Sequence, residues 1–503
     1  MPNIKTETIK NILGQIPFTA ELYWLVRQRG QPIHSRFSLK NLGEHLPEIT
    51  SQVRLLRESA DPGRNVFIFA TLHYWIEHAA LVGLALAAKG HNVTLGFIPY
   101  ADWQSPINLF DLRRQNAYAQ NILKLAAPFV EAVSFLNTRP VYKPILESLS
   151  KIVDLVTLFD TQYTLQNEEV DPASEIYKLR LERNGSVARV AYNWLKLNQP
   201  DVVIVPNGMI QELGVVYRIA RSLNIPSVTY EFGDQRKRIW LAQNAEVMRQ
   251  ETDDLWNARR EKPLTDEQLK QVRSLFAARQ GAALWKNFAR RWQDTPAQGG
   301  AKARAALGLD KRPVVLLATN VLGDSLSLGR QVFSDGMTEW ISRTVQYFIG
   351  RPDVQLVIRV HPGEVLTHGL CMEEVIYNVA PKLPEHIKVI GPKEKFNTYD
   401  VVAVADMGLV YTTTVGLEMA LQGLPVIVAG QTHYRGCGFT FDPDSWVKYY
   451  KMIGGALQEP ELYRLTPAQV ELPGNMRTAF SLNFRAPFPG IWCVYGKIIR
   501  TVT

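Results

Sequence analysis

The feature that most constrains this chain is a series of short apolar runs, each followed by a helix-length segment, that occurs twice along its 503 residues. Residues 66–70 (VFIFA) open the first series, directly after turn residues Asp61, Pro62 and Gly63. A five-residue apolar run bounded by turns is the pattern of a strand buried on both faces, as in a parallel sheet. The spacing predicts a helix over 75–89 that ends at Gly90, then a strand at 92–98, completing a strand–helix–strand unit. Residues 105–200 read as mostly helical, and strands follow at 201–206 and 225–230. Helices rich in Arg, Lys, Gln and Ala occupy 236–310, interrupted by residues 296–300 (PAQGG). The alternation then restarts, with strands at 313–318, 354–359, 387–390, 407–411 and 425–429.

The expected architecture is α/β: two Rossmann-like domains facing a cleft, with a helical N-terminal extension and a helical inter-domain segment. The expected boundaries are 1–60 for the extension, 61–235 for the first domain, 236–310 for the connection and 311–470 for the second domain. Residues 471–503 are expected to pack back on the first domain. Ligands of open α/β sheets lie outside the carboxyl ends of the strands, so motifs at those ends are where chemistry is sought.

In the second domain, residues 357–360 (VIRV) run straight into His361 and Pro362. Proline cannot continue the ladder, which leaves His361 at the strand's end. An imidazole there can donate a hydrogen bond to a phosphate oxygen, more strongly when protonated. Arg359, two residues earlier, is on the same face of the strand. The strand ending at Tyr411 meets Thr412, Thr413 and Thr414, then Gly416 and Glu418. Threonines are expected to cap the helix that begins here, and Gly416 to allow close backbone approach. The free N–H groups of a first helical turn form an anion site. Glu418, one turn further in, is placed to reach a ribose. A polar, aromatic, glycine-rich loop carrying His433, Tyr434 and Arg435 would line the same cleft, and Asp442-Pro443-Asp444 reads as a turn.

A proton acceptor is expected from the first domain. His73 and Glu77 stand one turn apart after the first strand, and Glu231 ends another strand. Each also has a structural reading, respectively a loop histidine, a helix-capping group and an ion pair. Glu77, His73 and His78 do not form a metalloprotease motif. Three scattered cysteines, Cys371, Cys437 and Cys493, suggest neither disulfides nor zinc. No metal site and no cofactor are expected, because the helix start, Arg359 and His361 can take up the charge of a departing phosphate.

Residues 354–443, with IRVHPGE, TTTVGLEMALQGLPVIVAG and THYRGCGFTFDP, resemble the capsule polysaccharide biosynthesis proteins, which are glycosyltransferases of GT-B architecture. Asn320 and Asp324 fall in a stretch similar to the one preceding those motifs. Asn207, Gly208 and the Glu231-Phe232-Gly233 run resemble the strand-end motifs of the family's first domain. The resemblance implies a nucleotide-activated sugar as donor, with Asn320, Asp324, His361, the three threonines and Glu418 on the donor side. It implies a glycan or glycolipid acceptor, with Asn207 and Gly208 on the acceptor side.

Three other activities share features with this pattern. A nucleotide-sugar 2-epimerase has the same architecture, a polyol-phosphate polymerase also uses a His-Pro motif, and a two-lobed binding protein would hold a small molecule without chemistry. No dinucleotide fingerprint follows any strand, and no nucleic-acid motif is present. The first residues lack a long apolar core, so a cytoplasmic location is expected. The net charge of +8 fits either an ordinary basic enzyme or peripheral contact with the anionic inner face of the plasma membrane.

Overall fold

A computed structural model describes residues 4–32, 37–136, 147–232, 239–281, 295–482, 492–494 and 497–499. Three helices come first: α1 (Ile4–Gln15), α2 (Thr19–Arg27) and α3 (Lys40–Glu58). α3 turns Leu42, Leu46, Ile49 and Val53 into the first core, a stripe with helical spacing. Then come β1 (Asn65–Thr71), α4 (His73–Ala88), β2 (Asn92–Ile98), α5 (Leu109–Leu123) and β3 (Val130–Ser134). Helices α6 (Glu147–Leu165) and α7 (Glu175–Asn198) precede β4 (Val202–Pro206), α8 (Gln211–Ser222), β5 (Ser227–Phe232) and β6 (Ile239–Gln243). The strands lie in the order β3-β2-β1-β4-β5-β6, and only the β5–β6 pair is antiparallel.

Two of these strands correct the sequence reading. β3 lies within the stretch read as helical, and β6 within the stretch read as a helical connection. Both are sheet edges. An edge strand is only half covered, so it lacks the continuous apolar run that marks a central one. In β3 Glu131 is exposed, and no residue of β6 is fully buried.

The second half begins with α9 (Asp253–Arg259), α10 (Asp266–Gln280) and α11 (Gly300–Ala306). It continues through β7 (Val314–Ala318), α12 (Met337–Ile349), β8 (Gln355–Arg359), α13 (Met372–Val379), β9 (Ile387–Ile390) and α14 (Thr398–Val402). It ends with β10 (Met407–Val410), α15 (Val415–Leu421), β11 (Val426–Val428), α16 (Trp446–Gln458), α17 (Pro460–Tyr463) and α18 (Pro467–Leu482). These strands form an all-parallel sheet in the order β11-β10-β7-β8-β9. Every residue of β7, β8, β10 and β11 is buried, which is why they read as unbroken apolar runs. α18 packs on α9, α10 and α15, that is, on the second half. Of the remaining C-terminal residues, 492–494 and 497–499 pair as a short hairpin and the others lie outside the described residues.

Polar contacts join the halves. Glu168, between α6 and α7, accepts hydrogen bonds from the N–H groups of Met337 and Thr338, both at 2.8 Å, and so caps α12 from the other domain. Arg249 donates to the Gly329 carbonyl at 2.6 Å, and the His368 N–H donates to Gln166 at 2.8 Å. Phe159, Met209, Ile210, Val247, Met248 and Leu328 add a small apolar cluster.

Inside the first half, a fully buried arginine organises three helices. Arg180 of α7 pairs with Asp160 of α6 at 2.5 Å and Glu212 of α8 at 2.9 Å. Burial opposes its charge, but the two carboxylates outweigh that and hold Arg180 above its ordinary range.

Candidate active site

The second sheet lays down β7 in its centre, adds β8 and β9 on one side, and adds β10 and β11 on the other. Loops leaving such a reversal point diverge and open a crevice. Here the loops are tied together at their roots. The Thr319 hydroxyl, just past β7, accepts the His361 N–H at 3.0 Å, and Asn320 Oδ1 accepts the Thr412 N–H at 3.1 Å. His361, Asn320 and Thr412, expected on the donor side from separate stretches of sequence, therefore meet at adjacent strand ends.

Pro362 starts a single 3₁₀ turn, and His361 caps it by accepting the Gly363 N–H at Nδ1, at 3.0 Å. With Nδ1 as acceptor, the neutral ring carries its proton on Nε2 and presents that atom as a donor. Asp324 accepts the Leu326 N–H at 3.1 Å, which folds the loop after β7.

The threonine run behaves differently from expectation. α15 starts at Val415, and Thr414 stands at its N-cap without a side-chain hydrogen bond. Its φ of −64° and ψ of −13° are already helical, whereas a capping side chain needs an extended backbone. The Thr412 hydroxyl donates to the Leu326 carbonyl at 3.4 Å, and the Thr413 hydroxyl accepts the Val415 N–H at 3.5 Å. Gly416 is required by close approach, since a Cβ there would lie 2.5 Å from the Tyr434 hydroxyl.

Several residues expected to line the cleft are engaged within the protein. Tyr434 is fully buried and donates to the Thr413 carbonyl at 2.5 Å, bracing the threonine run from behind. His433 is buried against Gln250 at 3.1 Å. Arg435 donates to the carbonyls of Val428 and Pro443, and Asp442 accepts from the Gly436 N–H at 2.7 Å, closing a turn. Glu418 is buried between Arg279 and Tyr399, whose hydroxyl donates to it at 2.5 Å. A buried carboxylate needs such partners to remain charged.

Arg359 does not turn toward His361. It donates to the carbonyls of Gly391, at 2.6 Å, and Phe396, at 3.1 Å, and burial lowers its pKa to about 10. It walls a cavity of about 250 Å³ together with Arg279, Pro362, Lys393, Phe396 and Tyr399. The loop at 391–399 and Arg279 were not singled out from sequence. The only signal for the loop was its position after β9, with two lysines and a phenylalanine.

In the first half, Asn207 follows β4 with a φ of +57° and accepts the N–H groups of Met209, at 3.1 Å, and Ile210, at 3.3 Å. Its amide donates to Glu231 at 3.0 Å. Gly208 has a φ of +77°, and a Cβ there would meet Thr229 at 2.4 Å. Glu231 has its pKa pushed up to about 7, first by burial and further by the charge of Asp324, with hydrogen bonds from Asn207 and Phe232 opposing. Asp324 belongs to the second half, so Glu231 lies within electrostatic reach of the other side of the cleft. Glu77 is also raised to about 7 by burial, but its hydrogen bond comes from the Leu42 backbone in α3. His73 begins α4, set edge-on to Phe37 and Tyr74, and burial lowers its pKa. His78 packs on Tyr230 and Phe232, and burial lowers it to about 4. Among the described residues, no group of three or more His, Cys, Asp or Glu side chains is placed to hold a metal ion.

Comparison with known proteins bears out the resemblance over the second half. Residues 256–451 match the family model described as capsule polysaccharide biosynthesis protein. Among solved structures, the chain is similar to the β-Kdo 2,4-transferase KpsC of Thermosulfurimonas dismutans, at 18% identity over 55% of this chain and 79% of that one, with a TM-score of 0.35. It is also similar to the UDP-GlcNAc 2-epimerase of Neisseria meningitidis, at 12% identity over 83% of this chain and 98% of that one, with a TM-score of 0.27. The fold assignment therefore rests on the chain's own sheets. None of the curated proteins compared with the chain matches it.

Proposed function

We propose, from the match of residues 256–451 to the capsule polysaccharide biosynthesis family model, that the chain is a glycosyltransferase that uses a nucleotide-activated sugar in capsule polysaccharide synthesis. The observation that carries this reading is the tying of His361, Asn320 and Thr412 at the ends of β8, β7 and β10. The donor's phosphate lies between His361 Nε2 and the Thr413–Thr414 backbone, beside Thr412. The nucleoside occupies the cavity beside Arg359, Phe396 and Arg279, and Glu418 holds Arg279 in place from behind. The acceptor hydroxyl oxygen attacks the anomeric carbon while the bond to the phosphate oxygen breaks. Its proton passes to Glu231, and the leaving phosphate keeps the electron pair. The reading assigns that charge to His361 and the backbone amides rather than to a cation. The acceptor is a growing glycan or a lipid-linked sugar.

Calorimetric titration with CMP, UDP and GDP tests the donor half of the proposal. At least one is expected to bind with a Kd below about 1 mM, some −4 kcal/mol. If all three fail at millimolar concentration, the donor site is disproved. Product analysis without acceptor separates transfer from epimerisation: the donor sugar's configuration should stay unchanged.

The base is testable by pH. Glu231 accepts a proton only when ionised, and its pKa is raised to about 7. Turnover should therefore rise about tenfold per pH unit below 7 and level off above it. Glu231→Gln should lower kcat by about 10²- to 10⁴-fold and remove that limb, while Glu77→Gln keeps it. A limb that survives in Glu231→Gln would move the role elsewhere.

A further inference from the structure

The pair α1–α2 is built inside out. Its polar groups face the protein: Lys10 pairs with Asp111 at 2.8 Å, Arg113 donates to Glu21 at 3.0 Å, and Asn108 donates to Glu7 at 3.2 Å. Gly14 lets the hairpin close onto α5, since a Cβ there would lie 2.7 Å from the Phe110 nitrogen, and Trp24 of α2 is buried. The outer face carries Ile9, Ile12, Ile16, Phe18, Leu22 and Leu25, all exposed, with Phe18 at the tip 80% exposed. Of the 21 exposed large hydrophobic side chains among the described residues, 8 fall between positions 9 and 26, so this is a patch and not the usual scatter.

We propose that this hairpin is an in-plane anchor that docks the protein on an anionic phospholipid bilayer. Charge selects that occupant. Among the described charged side chains of α1, α2 and the turn after them, the exposed ones are Arg27 and Arg29, both cationic, while Glu21 and Glu7 are partnered by Arg113 and Asn108 at α5. Basic groups beside an exposed apolar ridge suit lipid headgroups above acyl chains. The shape agrees. Helices of 12 and 9 residues make a ridge roughly 18 Å long, led by Phe18. A ridge enters a fluid bilayer without needing a matching pocket. No described helix is long and apolar enough to cross a membrane, so the hairpin lies in the interface. α5 begins just after the 99–108 loop, where Gln104 contacts His368 beside the cleft, so docking would present the cleft at the lipid surface. That last step rests on the proposed function, whereas the docking itself does not.

The test is flotation of the full-length protein with vesicles of phosphatidylcholine alone or with about one-third phosphatidylglycerol. The protein should float with the anionic vesicles. Phe18→Ser/Leu22→Ser should cut the bound fraction at least ~10-fold, and Arg27→Gln/Arg29→Gln should cut it several-fold on anionic vesicles only. Both variants should melt like the parent and keep its nucleotide titration, which separates failure of docking from failure of the donor site. The proposal is overturned if the parent stays unbound, if the Phe18/Leu22 variant floats equally well, or if the parent is a dimer that this variant dissociates.

Discussion

Replacing Arg180 by Met should cost the first half about 3–5 kcal/mol, read as a lowered denaturant midpoint. Arg180 and Asp160 are fully buried, and Glu212 is nearly so. Removing the guanidinium leaves two carboxylates in the interior without their counter-charge, and Asn184 at 3.3 Å is a weak replacement for Asp160. Set against a typical total of about 5–15 kcal/mol, the loss takes a large fraction of the stability. The same physics predicts the opposite outcome for the whole group. A triple variant, Arg180→Met with Asp160→Leu and Glu212→Met, should regain most of the loss, because desolvation of the charges disappears with them. A single variant within about 1 kcal/mol of the parent would mean that water reaches the site.

His361→Ala should lower kcat by about 10²- to 10³-fold, the usual cost of losing one donor to a developing anion. The stability change should be small. The His361 N–H bond to Thr319 is made by the backbone and survives, and loss of the Nδ1 bond to Gly363 costs about 0.5–1.5 kcal/mol. His361→Asn distinguishes the two roles of the ring. Asparagine is a good cap for the following turn and should restore stability, but it is too short to place a donor where Nε2 stands. Near-normal turnover in His361→Ala would remove this residue from the donor site.

The two-sheet architecture was legible because central parallel strands are buried on both faces, and β1, β7, β8 and β10 announce themselves as apolar runs. β3 and β6 were not, because their exposed edges break that pattern. The strand-end positions of His361 and Thr412 could be read from Pro362 and from the turn into α15. Which way a side chain turns could not. Arg359 satisfies carbonyls beyond β9, Glu418 satisfies Arg279 from another helix, and Tyr434 satisfies a carbonyl of the threonine run. Each choice depends on a partner distant in sequence. The same limit separated Glu231 from Glu77. Both are buried and raised, and only their neighbours differ: Asp324 of the second half influences Glu231, whereas the Leu42 backbone of α3 holds Glu77.

Glu168 carries a consequence for anyone who would exchange parts of this chain. The first amides of α12 are covered by a carboxylate that the second half does not own, and Gly336 leaves room for it, since a Cβ there would lie 2.6 Å from Glu168. A chimaera that grafts residues 295–482 onto a foreign first half inherits a helix with bare amides, unless the new half brings an acid to the same spot. The boundary between the halves is a seam in the sequence but a shared joint in the structure, and a successful graft has to be chosen by that joint.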